Sequence, residues 1–225
     1  RRRGRDRTEF RYRRGGAPPG GEMQSRAYRD SVLGMTGRTV TIRTLDLGAD
    51  KADKTGLALR DEPNPALGLR GVRLSLARDG LLHTQLRAIA RASGYGPVRI
   101  LVPMISGAEE MRTVRAMLRK ALAEVRKEGH EIAAQLPLGA MIEVPSAALS
   151  LSGFIGACDF LSIGTNDLVQ YLLAADRNNE ALGELYTLLH PALLRLLRDV
   201  VRTAHRRGRP VAVCGQIAGD AAFVP

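Results

Sequence analysis

From residue 39 onward, short apolar runs rich in β-branched residues alternate with longer stretches of helical period, and this alternation restricts the chain to a parallel α/β architecture. TVTIRTLDLG (39–48), VRILVPMIS (98–106), LGAMIEVPS (138–146), DFLSIGTND (159–167) and PVAVCGQIAG (210–219) predict buried strands that run into loops. Between them, residues 79–93, 107–129 and 191–207 place apolar side chains at helical spacing. Gly129 stands where a C-cap belongs and Pro191 at a first helical position. Two segments break the pattern: a Gly/Pro loop at 15–21, and a polar stretch at 50–66 that is too long for a mere connector and has the character of a binding loop.

At 225 residues the chain can build a substantial core, and 44% hydrophobic with 25% charged residues excludes a disordered, collagenous or disulfide-scaffold protein. A net charge of +11 raises the question of a polyanionic partner, but +6 of it lies in residues 1–14, where eight arginines face Asp6 and Glu9. No aromatic interleaving or known reader motif accompanies those arginines, which argues against nucleic-acid binding. Cys158 and Cys214 belong to no metal-ligand array, and a reducing, cytoplasmic compartment is the simplest expectation. No run reaches about 18 apolar residues, so no transmembrane helix is expected.

In parallel α/β folds ligands collect at the C-terminal ends of the strands, so the residues delivered there carry the chemistry. Here they are polar: Arg43-Thr44-Leu45-Asp46, then Glu143, then Gly164-Thr165-Asn166-Asp167, then Cys214-Gly215-Gln216. Glu143 and Asp167, read at the same position on consecutive strands, would bring two carboxylates to one rim, where oxygen ligands without His or Cys suit magnesium. The alternative is a pair of acids that cap the following helices or pair with arginines. Arg7, Arg43, Arg70 and Arg177 lie at or near the ends of extended segments or loops and, converging, would hold a phosphoryl group. Cys214 follows an apolar run directly, so its thiol is either a proton donor at the strand ends or a buried inert cysteine.

The segments RTEF (7–10), IRTLDLGADK (42–51), NPALGLRG (64–71), VPMI (102–105), MIEVPSAA (141–148), DFLSIGTNDLVQYLLAADRNN (159–179) and CGQIAGD (214–220) resemble, in order and spacing, the C-terminal phosphoenolpyruvate-binding barrel of Enzyme I of the bacterial sugar phosphotransferase system. The resemblance covers nearly the whole chain. It implies a (β/α)8 TIM barrel over residues 1–225 that lacks its last βα unit, with RTEFRY (7–12) as first strand and the GLRGVRL region (68–74) as a short third strand. It implies Glu143 and Asp167 as Mg2+ ligands, Arg7, Arg43, Arg70, Asn166, Asp167 and Arg177 as contacts of phosphoenolpyruvate, and Cys214 as the acid that protonates the enolate to pyruvate. The phosphoryl acceptor would be a histidine of an N-terminal domain absent from this chain, which docks the carrier protein HPr, and the full-length protein would be a homodimer.

Two further readings stay open at this level. Pyruvate phosphate dikinase and phosphoenolpyruvate synthase share SIGTNDLVQY and DRNN, although RTLDLGADK favours Enzyme I. A regulatory protein that senses phosphoenolpyruvate without turnover fits the departures from the family pattern, namely the arginine-rich first strand and Gln216 where the family carries an acid.

Overall fold

Val40–Arg43, Val98–Val102, Leu138–Ile142 and Phe160–Gly164 are strands whose residues are buried almost throughout, as both faces of a parallel sheet require. The computed structural model describes residues 5–7, 19–47, 62–78 and 80–215. These fall into two compact units, Arg1–Pro103 with Thr113–Leu138, and Met104–Arg112 with Gly139–Pro225.

In the first unit β1 (Arg5–Arg7), β2 (Val40–Arg43) and β3 (Val98–Val102) are parallel in chain order, with Arg7 opposite Arg43 and Arg43 opposite Leu101. Helices α1 (Gly21–Gly34), α2 (Gly71–Ala77) and α3 (Leu81–Ala92) accompany them, and α1 packs on α3. A buried chain of hydrogen bonds joins these helices to the end of β2. The Leu45 N–H donates to Gln85 Oε1 (3.0 Å), Gln85 Nε2 to the Tyr28 hydroxyl (2.9 Å), that hydroxyl to Gln24 Oε1 (3.3 Å), and Gln24 Nε2 to the Pro19 carbonyl (2.9 Å). Helix α4 (Ala108–Lys127) follows β3 and stops short of Gly129, whose φ of 84° is the left-handed turn expected of a C-terminal glycine.

In the second unit β4 (Leu138–Ile142), β5 (Phe160–Gly164) and β6 (Val211–Cys214) are again parallel in chain order, with Ile142 opposite Ile163 and Gly164 opposite Cys214. Helices α5 (Pro145–Leu149), α6 (Thr165–Leu173) and α7 (Pro191–Arg206) connect them. Helix α7 begins with Pro191, its N-cap His190 accepts the Ala192 N–H on Nδ1, and Leu193, Leu196, Val200 and Ala204 form its buried stripe.

Several expectations need correction. The segment 68–74 is not a third strand: Arg70 is extended, but Gly71 turns to a φ of 57° and opens α2. The alternation Val72, Leu74, Leu76 mimics a strand, yet the buried positions are Gly71, Val72, Leu74 and Ser75, which is helical spacing. The first strand already includes Arg5 and Asp6, ahead of RTEFRY, and residues 8–12 of that segment lie outside the described residues. The strand expected through Asp167 ends at Gly164, so Asn166 and Asp167 sit in the first turn of α6. Helix α1 is absent from the sequence reading because its buried face is half polar: Gln24 and Ser25 beside Tyr28 and Val32.

Candidate active site

The second unit gathers five of the predicted residues at the ends of three adjacent strands. Glu143 follows β4 by one residue, so the register that sets Ile142 beside Ile163 sets Glu143 beside Gly164, which in turn pairs with Cys214. Parallel neighbours in register face the same side of a sheet, so the side chains of Glu143 and Cys214 belong to one face, with a residue lacking a side chain between them. Two strand spacings put their Cα atoms roughly 10 Å apart. A Cβ on Gly164 would stand 2.6 Å from Glu143 Oε2 and 2.8 Å from Met141 Cε, so only glycine lets that carboxylate lie across the end of β5.

Glu143 is fully buried, and a carboxylate there needs donors. Met104 supplies one: its N–H donates to Glu143 Oε1 at 2.7 Å. Met104 does so from a φ of 59°, a backbone that residues other than glycine seldom adopt. Asp167, also buried, lies within 3.5 Å of the Arg177 guanidinium through Oδ1. The main-chain N–H of Arg177 donates to Gln170 Oε1 (3.2 Å), and Ala174, with φ 52°, turns the chain out of α6 toward it.

The Asn166 carbonyl accepts the Tyr186 hydroxyl at 2.9 Å, and its side-chain oxygen lies against Gly215, where a Cβ would approach to 2.8 Å. Burial pushes the Tyr186 phenol up from its ordinary pKa; Arg177 nearby opposes this and Asp167 reinforces it. The phenol is therefore a protonated donor. Cys214, buried, donates through Sγ to the Ile163 carbonyl (3.1 Å) and accepts from Ser162 Oγ (3.5 Å), while Thr165 Oγ1 donates to the Cys214 carbonyl (2.9 Å). Thr165 thus ties the end of β6 to the start of α6.

The first unit holds the remaining arginines. Arg70 donates to Asp46 through Nε (3.2 Å to Oδ1) and Nη2 (3.0 Å to Oδ2), and Arg43 Nη1 lies 3.3 Å from Oδ2, with all three side chains at least nine-tenths buried. Arg7 lies in β1 opposite Arg43, and its side chain lies outside the described residues, as does Gln216. A cavity of about 320 Å³ in this unit, with Arg26, Arg29, Arg91 and His130 in its wall, contains none of the candidate residues.

Glu143, Asp167 and the Asn166 side-chain oxygen are hard oxygen donors, the kind that suits a divalent cation that keeps places for water and phosphate oxygens. Among the described residues no group of three or more His, Cys, Asp and Glu is placed to hold a metal ion, so a cation here would take few protein ligands.

The family model of the PEP-utilising enzyme, PEP-binding domain, matches residues 4–225. The chain belongs to this family. It is 50% identical over 203 residues to the phosphoenolpyruvate-protein phosphotransferase of Cupriavidus necator, covering 90% of this chain and 35% of that protein. It is 44% identical over 219 residues to the protein of the same name from Listeria monocytogenes, covering 97% of this chain and 38% of that one. The chain therefore spans little more than a third of the length of the curated relatives it matches. Among solved structures it is similar in fold to a citrate lyase from Burkholderia xenovorans (TM-score 0.54, 19% identity, 90% of this chain and 53% of that one). A malate synthase from Haloferax volcanii in a pyruvate/acetyl-CoA ternary complex is equally near (TM-score 0.55, 13% identity, 88% and 47%). These likenesses agree with the α/β architecture of parallel strands.

Sequence reasoning does not single out Asp46, Met104, Ser162, Gln170 or Tyr186 as site residues. The first four lie inside or beside the family segments, and Asp46 stood among the polar residues delivered by the strand at 39–48. Tyr186 had no signal, being twenty residues from Asn166 in a polar loop.

Proposed function

We propose that this chain is the phosphoenolpyruvate-binding domain of a phosphoenolpyruvate-protein phosphotransferase, Enzyme I of the bacterial sugar phosphotransferase system. It binds phosphoenolpyruvate with Mg2+, gives the phosphoryl group to a protein histidine outside this chain for relay to HPr, and releases pyruvate. The reading carries with it the (β/α)8 barrel type, a homodimeric full-length protein and the bacterial cytoplasm. The observation that supports it most is the strand-end row of Glu143, Gly164 and Cys214, with Asp167 and Arg177 on the helix and loop that follow.

Glu143 and Asp167 would hold the magnesium ion, whose chemistry when bound is to neutralise phosphoryl charge and the enolate oxygen. Arg177 would bind phosphoryl oxygens, and Arg7, Arg43 and Arg70 keep the contact role that the motif match gives them. When the bond between phosphorus and the enol oxygen breaks, the enolate carbon needs a proton. Cys214 would deliver it from its thiol, leaving a thiolate that the Ser162 hydroxyl, already donating to Sγ, stabilises.

Isothermal calorimetry tests the reading. The intact protein should bind phosphoenolpyruvate in the presence of Mg2+ and lose that binding with chelator or in Asp167→Asn. Binding that is indifferent to both overturns the metal assignment, and no binding by the wild type overturns the function.

A further inference from the structure

The loop that carries Arg177 leaves α6 at Ala174 and, apart from a 3-10 turn at Glu180–Leu182, stays irregular until α7 begins at Pro191. Near its start it is tied to α6 by two bonds from Gln170, whose carbonyl accepts the Ala175 N–H (3.1 Å) and whose side chain accepts the Arg177 N–H (3.2 Å). Its middle is organised by local turns, in which Asp176 and Asn179 side chains accept the Asn178 and Ala181 N–H groups. A turn that bonds the Tyr186 N–H to the Leu182 carbonyl (3.0 Å) then sends the phenol back across twenty residues to the Asn166 carbonyl.

That last bond is not demanded by backbone accounting. Within an α-helix the carbonyl of its second residue already serves the N–H four residues on, so the hydroxyl occupies its second lone pair. Tyr186 is half-buried and not a core side chain, so packing alone does not account for it. Its phenol lies within electrostatic reach of both Asp167 and Arg177.

We propose that Tyr186 is a positioning residue of this site: by donating to the Asn166 carbonyl it clamps the far side of the Arg177 loop onto the turn that carries Asn166 and Asp167. Gln170 holds the near side. The inference rests on the proposed function for its ligand, phosphoenolpyruvate, but the clamp itself is a property of the ligand-free protein. Arg177 is thereby held against Asp167 before substrate arrives, which lowers the ordering cost of binding a phosphoryl group.

The test is Tyr186→Phe in the intact protein, a change that keeps the ring and removes the hydroxyl. A hydrogen bond to a carbonyl is felt by the next amide nitrogen, so the 15N resonance of the Asp167 amide should move in the ligand-free variant. The dissociation constant of phosphoenolpyruvate with Mg2+ should rise about fivefold to tenfold, the size of one hydrogen bond, while the thermal midpoint falls by no more than about 2–4 °C. An unmoved Asp167 resonance, or a moved one with unaltered affinity, overturns the positioning role. If the wild type binds no phosphoenolpyruvate, the function proposed above falls instead, and the Asp167 resonance still decides the clamp.

Discussion

Met104 aims its main-chain N–H at Glu143 Oε1, 2.7 Å away, from a left-handed backbone. The amide needs an acceptor there and the buried carboxylate needs a donor, so the two groups answer each other's desolvation. Glu143→Gln retains an acceptor and should fold with near wild-type stability while losing Mg2+-dependent phosphoenolpyruvate binding. Glu143→Ala should lose the same binding and in addition about 1–3 kcal/mol of stability, because it leaves the Met104 amide buried without that acceptor. Chemical denaturation of the two variants side by side checks the difference.

Gly164→Ala should act on the same carboxylate from the other side. Its Cβ would stand 2.6 Å from Oε2, so the carboxylate or β5 must move. Overpacking of this kind costs about 1–3 kcal/mol, and the displaced carboxylate should weaken phosphoenolpyruvate binding by about tenfold or more in calorimetry. An alanine variant with wild-type affinity would show that the position of Oε2 is immaterial.

Asp46 is the counter-ion of both Arg43 and Arg70. Removing the anion shared by two buried guanidinium groups, as in Asp46→Ala, should destabilise the protein by about 3–5 kcal/mol, read as a lower denaturant midpoint. Arg70→Lys should also be destabilising, since an ammonium cannot reproduce the forked contact with both carboxylate oxygens.

Cys214→Ala should leave phosphoenolpyruvate binding intact and slow pyruvate formation by about 10²–10⁴-fold, the usual worth of a positioned proton donor. Deuterium incorporation at the methyl carbon of pyruvate in D2O, followed by NMR, measures the step. Turnover at the wild-type rate would assign the proton to another group.

A pH effect is expected at a separate ion-pair cluster in the first unit. Arg87 donates to Glu124 at 2.8 Å and the His83 ring lies at the same distance from Oε2. The Arg87 hydrogen bond, with some opposition from burial and support from His83, holds the Glu124 carboxyl below its ordinary value of 4.5. A carboxyl lowered in the folded state contributes stability above its unfolded pKa and loses it as pH falls through the folded value. Glu124→Gln should therefore lower the thermal midpoint at pH 7, and the gap to wild type should close in acid below the carboxylate range.

The strand ends were legible because each polar residue there follows an apolar run: Glu143 after GAMI and Cys214 after PVAV need no structure to be noticed. Asp167 reads as part of a strand although it belongs to the helix that follows, since a strand that turns into a helix at Gly164 shows no break in its residue types. The segment after Arg70 misled through its alternation, and only the backbone of Gly71 decides it. What could not be read at all is pairing over distance. Nothing in the letters links Tyr186 to Asn166, or Gln85 to Leu45, because a hydrogen bond between remote residues leaves no periodic trace.

The relay from Leu45 through Gln85, Tyr28 and Gln24 to Pro19 has an evolutionary consequence. Gln85, Tyr28 and Gln24 each accept from one neighbour and donate to the other, so an apolar replacement at any of them orphans the groups on either side. Such an assembly can drift only by simultaneous change, which no single substitution reaches. The polar face of α1 is in this sense a ratchet: once acquired, it holds the lineage to a half-hydrophilic helix beneath its arginine-bearing strand.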